Sequence, residues 1–73
     1  MTATTTILVQ PIETRSTYTH VVLGMADTAD NDSYWTRVGY TSDSGRWTEV
    51  MGHYSMQLTE ALEDYLARIK RGY

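Results

Sequence analysis

The sequence contains no cysteine, which excludes disulfides and thiolate metal ligands as sources of stability. The absence matters in a chain of 73 residues, because so short a domain buries only roughly 60% of the surface that its unfolded form exposes. The fold must therefore be stable through its own core, or gain burial from a partner or a second copy. A chain without cysteine is also expected in the cytoplasm.

Long apolar runs are lacking as well. Ile7-Leu8-Val9 is the only such run in the first ten residues, far short of the roughly 20 apolar residues that span a bilayer. Nothing resembles a signal peptide, so we expect neither secretion nor a membrane partner. The formal net charge is only −3. That value argues against general binding to phosphates and is too small for a mimic of DNA.

Signatures of catalysis and cofactor binding are lacking too. The two histidines belong to no HExxH motif, and there is no GxSxG, phosphate-binding glycine loop or dinucleotide fingerprint. The acidic stretch 27–33 lacks the glycine and the glutamate that a calcium loop requires, so it is interpreted as a solvated turn. The sequence therefore predicts a protein that is not an enzyme and holds no metal or cofactor.

The clearest pattern that is present is an amphipathic helix from about Ser55 to Arg71. Five apolar residues recur at helical spacing and form one stripe centred on Leu62, which Ala61 widens: Leu58, Leu62, Tyr65, Leu66 and Ile69. Acidic residues come early in this segment and basic residues late, as the helix dipole favours. Ser55 or Thr59 is the expected N-cap, and Gly72 the expected end.

Upstream of the helix, alternation with period two predicts four strands, at residues 5–10, 17–25, 34–41 and 46–54. Pro11 cannot donate to a strand ladder, so the first strand is expected to end there or to lie at an edge. Residues 1–4 are expected to fray. The predicted fold is a single α+β domain in the order ββββα, an antiparallel sheet with one C-terminal amphipathic helix packed on one face.

The turn at residues 42–45 determines how the last two strands pair. Asp-Ser-Gly suits a three-residue hairpin loop, in which Gly45 takes a positive φ. In the resulting register, one face carries Tyr34, Thr36, Val38, Tyr40, Thr48, Val50 and Tyr54. The opposite face carries Trp35, Arg37, Gly39, Trp47, Glu49, Met51 and His53.

One helix covers only one face of the sheet, so the other face is expected to be open. The aliphatic stripe of the helix matches the Val/Tyr face, which leaves the Trp face exposed. Exposed Trp beside Arg and Met is typical of a binding hot spot. The predicted partner-binding residues are therefore Trp35, Arg37, Trp47, Glu49, Met51 and His53. Alternatively, the rings fill the core, or the helix covers the Trp face and leaves a Tyr-rich face open.

Residues 34–39 read Y-W-T-R-V-G. This motif resembles the signature of the WGR domain, a small antiparallel sheet with a helix found beside poly(ADP-ribose) polymerase catalytic domains and in bacterial proteins. The order of elements over residues 17–70 is also similar. The motif's Trp and Arg contact nucleic-acid ends in that family, so the resemblance implies this role for Trp35 and Arg37. The chain departs from the family at Thr36, which replaces a Gly, and in a longer turn after Gly39.

Three functions follow from these patterns. The first is a non-enzymatic protein-binding module, such as a small inhibitor or accessory factor, that occludes a larger partner through the open face. The second is a WGR-like nucleic-acid-binding domain, which the net acidity disfavours and which would lose affinity steeply with salt. The third is a structural homodimer that uses the open face or an edge strand, with twice the monomer mass at micromolar concentration.

Overall fold

The computed structural model describes residues 4–27 and 33–73. Two predicted segments lie outside the described residues: residues 1–3, which were expected to fray, and the middle of the acidic turn. Thr4, which was also expected to fray, pairs with Ala26. Four antiparallel strands form one sheet in the order β1-β2-β3-β4, and one helix follows. Their bounds are β1 Thr4–Pro11, β2 His20–Ala26, β3 Tyr34–Thr41, β4 Trp47–Met56 and α1 Leu58–Arg71. The predicted α+β fold in the order ββββα is confirmed.

Two local features confirm the sequence-based expectations. Pro11 ends β1, which is an edge strand, where its missing N–H leaves no gap in an internal ladder. Gly45 has a φ of 83°, and its amide donates to the carbonyl of Ser42 at 2.8 Å. β2 begins later than predicted, at His20. Tyr18 therefore does not follow the alternation of β2 and packs against the core instead.

The core lies between α1 and one face of the sheet. Val21, Leu23 and Val38 supply the sheet side, and α1 supplies Tyr65 and Ile69. This is the Val/Tyr face on which the helix was expected to pack. The opposite face of the sheet carries no helix.

The apolar stripe of α1 is rotated from its predicted centre. The buried residues of the helix are Ala61, Tyr65, Arg68 and Ile69, whereas Leu62 is 38% exposed. The small Ala61 side chain, which is fully buried, allows the helix backbone to approach the sheet along this side. The prediction that Leu62 lies at the centre of the buried stripe was therefore wrong.

The connection between β1 and β2 holds the C-terminal end of α1. The last carbonyls of a helix have no partner within the helix itself. Here two of them, together with the carbonyl of Gly72 directly after the helix, accept hydrogen bonds from this connection. The three bonds run from Glu13 N to Ile69 O (3.1 Å), from Thr14 Oγ1 to Lys70 O, and from Ser16 Oγ to Gly72 O. Gly72 ends the helix, as predicted.

β4 contains two β-bulges that change the predicted faces. Its register with β3 shifts twice, between the partners of Tyr34 and Thr36 and between those of Thr36 and Val38. Met51 and Ser55 lie at these shifts with positive φ values of 55° and 58°. Each bulge inserts one extra residue and turns the next side chain to the other face. From Val50 onwards, the residues of β4 that pair on the helix-bearing face are consequently Val50, His53 and Met56.

The start of α1 also differs from the prediction. The N-cap is Gln57, and it makes no side-chain capping bond. The expected caps, Ser55 and Thr59, were both wrong because β4 continues to Met56 through the second bulge and the helix begins directly afterwards.

Candidate functional site

The helix-free side of the sheet carries a layer of large side chains, which we name the aromatic face: Trp35, Arg37, Trp47, Glu49 and Tyr54. Each of its three rings lies against a glycine. A Cβ added to Gly24 would lie 2.2 Å from the Trp35 ring, one at Gly39 would lie 2.3 Å from Trp47, and one at Gly52 would lie 2.2 Å from Tyr54. No real Cβ is accommodated at such distances, so the glycines provide the space that the rings occupy.

Arg37 lies at the centre of the aromatic face. Its guanidinium carbon is 4.0 Å from the centroid of the Trp35 ring and 5.4 Å from that of Tyr54, within reach of cation–π attraction. Its Nε donates to the Tyr54 hydroxyl at 3.2 Å, and a terminal nitrogen donates to Glu49 Oε1 at 3.3 Å. Burial alone would lower the pKa of Arg37, but the hydrogen bonds to Tyr54 and Glu49 raise it above its usual value. The cation is thus held in one place.

The three rings differ in their accessibility. Trp35 is only 3% exposed, whereas Trp47 is 41% and Tyr54 55% exposed. Trp47 is fixed by a 2.8 Å hydrogen bond from its Nε1 to Glu49 Oε2 and by an edge-on contact with the His20 ring at 5.7 Å. Trp35 therefore forms the floor of the aromatic face, and the two other rings form its exposed surface.

Four of the six predicted partner-binding residues are brought together: Trp35, Arg37, Trp47 and Glu49. The placement of Met51 and His53 beside them was wrong. Met51 Sδ accepts a hydrogen bond from Tyr18 on the helix-bearing side at 3.1 Å, and His53 pairs with Thr36 on that same side.

Tyr54 lies on the aromatic face, although the predicted register placed it on the opposite, helix-bearing face. The two bulges account for this error, because they break the alternation on which the assignment relied. Gly52 was the available signal, since a glycine inside a strand often marks a bulge or a close approach.

A second polar cluster joins α1 to the sheet on the helix-bearing side. Asp64 of α1 accepts a hydrogen bond from Thr36 Oγ1 and lies 2.9 Å from His53 Nδ1 and 3.3 Å from Arg68 Nε. Arg68, which is 1% exposed, also donates to the carbonyl of Met51 at 2.6 Å. Asp64 and Arg68 have the i, i+4 spacing that favours an ion pair on a helix.

The charges in this cluster depend on one another. Burial alone would raise the pKa of Asp64, but hydrogen bonds from Thr36 and His53 and the charges of His53 and Arg68 hold it below its usual value. Burial lowers the pKa of Arg68, and Asp64 opposes that effect. The carboxylate is therefore the partner that compensates a buried guanidinium.

The arrangement of Thr36, His53 and Asp64 differs from that of a catalytic triad. In a triad the imidazole lies between the hydroxyl and the carboxylate and removes the hydroxyl proton. Here the carboxylate lies between the two other groups, so the Thr36 hydroxyl donates to Asp64 and the imidazole is not placed to activate it. The geometry is that of a structural connection between α1, β3 and β4.

The described residues contain no group of three or more His, Cys, Asp or Glu side chains that could hold a metal ion. Within this part of the chain, no helix combines the length and the apolar character needed to cross a membrane.

A groove of about 390 Å³ lies between α1 and β1 and is lined by Gln10, Pro11, Glu13, Leu66, Ile69 and Lys70.

Comparison of the chain with known sequence families, curated proteins and solved structures gave no match. The WGR-like motif of residues 34–39 therefore remains a resemblance.

Proposed function

We propose that this chain is a non-enzymatic protein-binding module that occludes a surface on a larger partner, as a small inhibitor or accessory factor. The observation that carries the proposal is the aromatic face, where the exposed Trp47 and Tyr54 rings border the Arg37–Glu49 ion pair. Trp, Tyr and Arg are the residues in which binding energy is most often concentrated.

The rigidity of the aromatic face supports this role. Trp47 and Tyr54 each lie on a glycine and each make a hydrogen bond within the face. Ordering a mobile side chain at an interface costs about 0.5–1.5 kcal/mol. Rings that are already ordered avoid much of that cost, so a partner gains more from burying them.

The nucleic-acid alternative is less well supported. Trp35 lies beneath Arg37 and is 3% exposed, and Arg37 is already paired with Glu49. A phosphate approaching Arg37 would also meet the Glu49 carboxylate. We therefore favour a protein partner, in the cytoplasm expected for a chain without cysteine.

The test is affinity capture from the cells that produce the chain, followed by titration of the purified partner. The variants are Trp47→Ala on the aromatic face and Tyr73→Ala, a ring of similar exposure (53%) at the end of α1. We expect Trp47→Ala to weaken binding by about 2 kcal/mol or more, roughly 30-fold. Tyr73→Ala should bind as the wild type does.

Circular dichroism accompanies the titration, so that a loss of folding is not mistaken for a loss of contact. A folded Trp47→Ala variant with wild-type affinity contradicts the proposal. If Trp47→Ala does not fold, Tyr54→Ala takes its place. A purified chain that instead binds oligonucleotides, with affinity falling steeply as salt rises, favours the nucleic-acid alternative.

A further inference from the structure

The two edges of the sheet differ in their protection against pairing with another strand. β4 has two bulges and carries Glu49 and His53, features that discourage such pairing. β1 reads TTTILVQP, contains no charged residue and is exposed along its whole length. Its irregular features are a register shift between Thr6 and Leu8 and the terminal Pro11. Ile7, Leu8 and Val9 are 43%, 43% and 48% exposed. β1 is thus the edge that is open to pairing.

An apolar row of α1 lies beside this edge. Leu66 lines the groove together with Gln10 and Pro11 of β1, which shows that its side of α1 is turned towards β1. Leu58 and Leu62 precede it at intervals of four residues and belong to the same row. The row is between 38% and 56% exposed. Strand and row together form what we name the β1–α1 surface: Ile7, Leu8, Val9, Leu58, Leu62 and Leu66.

The direction of α1 determines what a second copy would meet. The chain leaves β1 at Pro11, and the amide of Glu13 donates to Ile69 near the end of α1. The beginning of α1 follows Met56 of β4. Met56 pairs with Tyr34, Tyr34 pairs with Met25, and Met25 pairs with Thr5 near the start of β1. α1 therefore runs from the level of the start of β1 to the level of its end, in the same general direction as β1.

Antiparallel pairing of β1 with β1 of a second copy would consequently set the two helices antiparallel on one face of a continuous sheet. The exposed charges next to the Leu row suit this arrangement, because Glu63 follows Leu62 in the first half of α1 and Lys70 continues the row four residues after Leu66. The acidic half of each helix would be directed towards the basic end of the other. The uncharged strands would meet without opposing like charges.

We propose that the β1–α1 surface is a homodimer interface, in which two copies pair through β1 about a two-fold axis perpendicular to the sheet. Such an interface is isologous, with the same residues contributed by each copy. The Leu rows would face each other across the junction on the helix side. Both aromatic faces would then lie together on the opposite side of the joined sheet and remain free to bind partners. The dimer would present two binding faces at once, which raises avidity towards a multivalent partner.

The test is analytical ultracentrifugation of the full chain, whose monomer mass is 8.3 kDa. Leu8→Lys places a charge on the exposed edge strand, and Leu66→Lys places one on the Leu row. Ala67→Lys is the matched control, since Ala67 is exposed on the side of α1 that faces away from the Leu row. We expect wild type and Ala67→Lys to sediment with twice the monomer mass at micromolar concentration. Leu8→Lys and Leu66→Lys should sediment as monomers with unchanged circular dichroism.

A wild-type chain that remains monomeric at a concentration on the order of 100 μM, far above a micromolar dissociation constant, overturns the proposal. So does a dimer that persists in both Leu8→Lys and Leu66→Lys. If Leu8→Lys does not fold, Leu66→Lys decides, because Leu66 is 56% exposed on the helix surface. A dimer disrupted by Trp47→Ala but not by these two variants would place the contact on the aromatic face instead. Trp47→Ala that stays dimeric but loses its partner supports both proposals separately.

Discussion

Gly24, Gly39 and Gly52 are the residues on which the aromatic face depends. Each leaves open a space in which a ring now lies, and a methyl group at any of them would overlap that ring. Alternation in β3 predicted that Trp35 and Arg37 share a face, which the structure confirms. It could not predict that Arg37 covers Trp35, because stacking between side chains two residues apart on a strand depends on rotamers and not on sequence period.

Asp64 is expected to make the stability of the protein depend on pH in the acid range. Its pKa in the folded protein lies below the ordinary value of 3.8. The ionised carboxylate therefore stabilises the fold, and this contribution is fully present above about pH 4. It is lost as the pH falls through the lower, folded-state pKa. Denaturation midpoints measured between about pH 6 and pH 2 should record the loss.

Two variants isolate the contribution of Asp64. Asp64→Asn should be less stable than the wild type at neutral pH, because it leaves the buried Arg68 without its charged partner. The stability of Asp64→Asn should also fall less on acidification. Asp43→Asn in the exposed hairpin turn serves as the control. An Asp64→Asn variant whose stability falls with acid as steeply as that of the wild type would show that this carboxylate is not responsible.

At the scale of elements, the pattern of the sequence predicted which elements form better than how they are turned. The four strands and α1 follow from periods of two and 3.6, and the β3–β4 turn follows from Gly45. The second half of β4 did not follow, because Met51 and Ser55 take positive φ values that neither residue type favours. The rotation of α1 was missed because apolar spacing favours the large Leu residues, whereas close packing selected Ala61.

The burial of α1 predicts unequal costs for truncating its apolar residues. Tyr65 is 2% exposed in the core, so Tyr65→Ala should lower the free energy of unfolding by about 3–5 kcal/mol. Leu62 is 38% exposed, so Leu62→Ala should lower the free energy of unfolding by less than about 1.5 kcal/mol. This is a smaller loss than a position at the centre of the buried stripe would give. Chemical denaturation at protein concentrations below the dissociation constant of the proposed dimer measures both free energies, without a contribution from association.

Tyr65→Phe is the matched control for this comparison. The Tyr65 hydroxyl is buried and has no hydrogen-bond partner among the described residues, so its removal should leave stability unchanged or higher. A larger loss for Leu62→Ala than for Tyr65→Ala would mean that α1 docks through the Leu row after all.

At the scale of the whole molecule, the two surfaces occupy different parts of the sheet. The aromatic face lies over β3 and β4 on the helix-free side, and the β1–α1 surface follows the edge strand β1 and the Leu row of α1. The sequence indicated that one face would be open, because a single helix cannot cover both. It indicated an edge strand as an alternative dimer contact, but it could not identify the Leu row beside it, since the exposure of that row depends on the rotation of α1 and on how far the helix extends over the sheet.

The position of Tyr54 tests the central claim of this account, that three rings lie on three glycines on the helix-free face. Nuclear magnetic resonance measures it directly. The α-protons of Gly24, Gly39 and Gly52 should be shifted upfield by the rings above them, and nuclear Overhauser effects should connect the Tyr54 ring to Gly52 and to the side chain of Arg37. Ordinary shifts for the Gly52 α-protons, with Overhauser effects from the Tyr54 ring to side chains of α1, would contradict it.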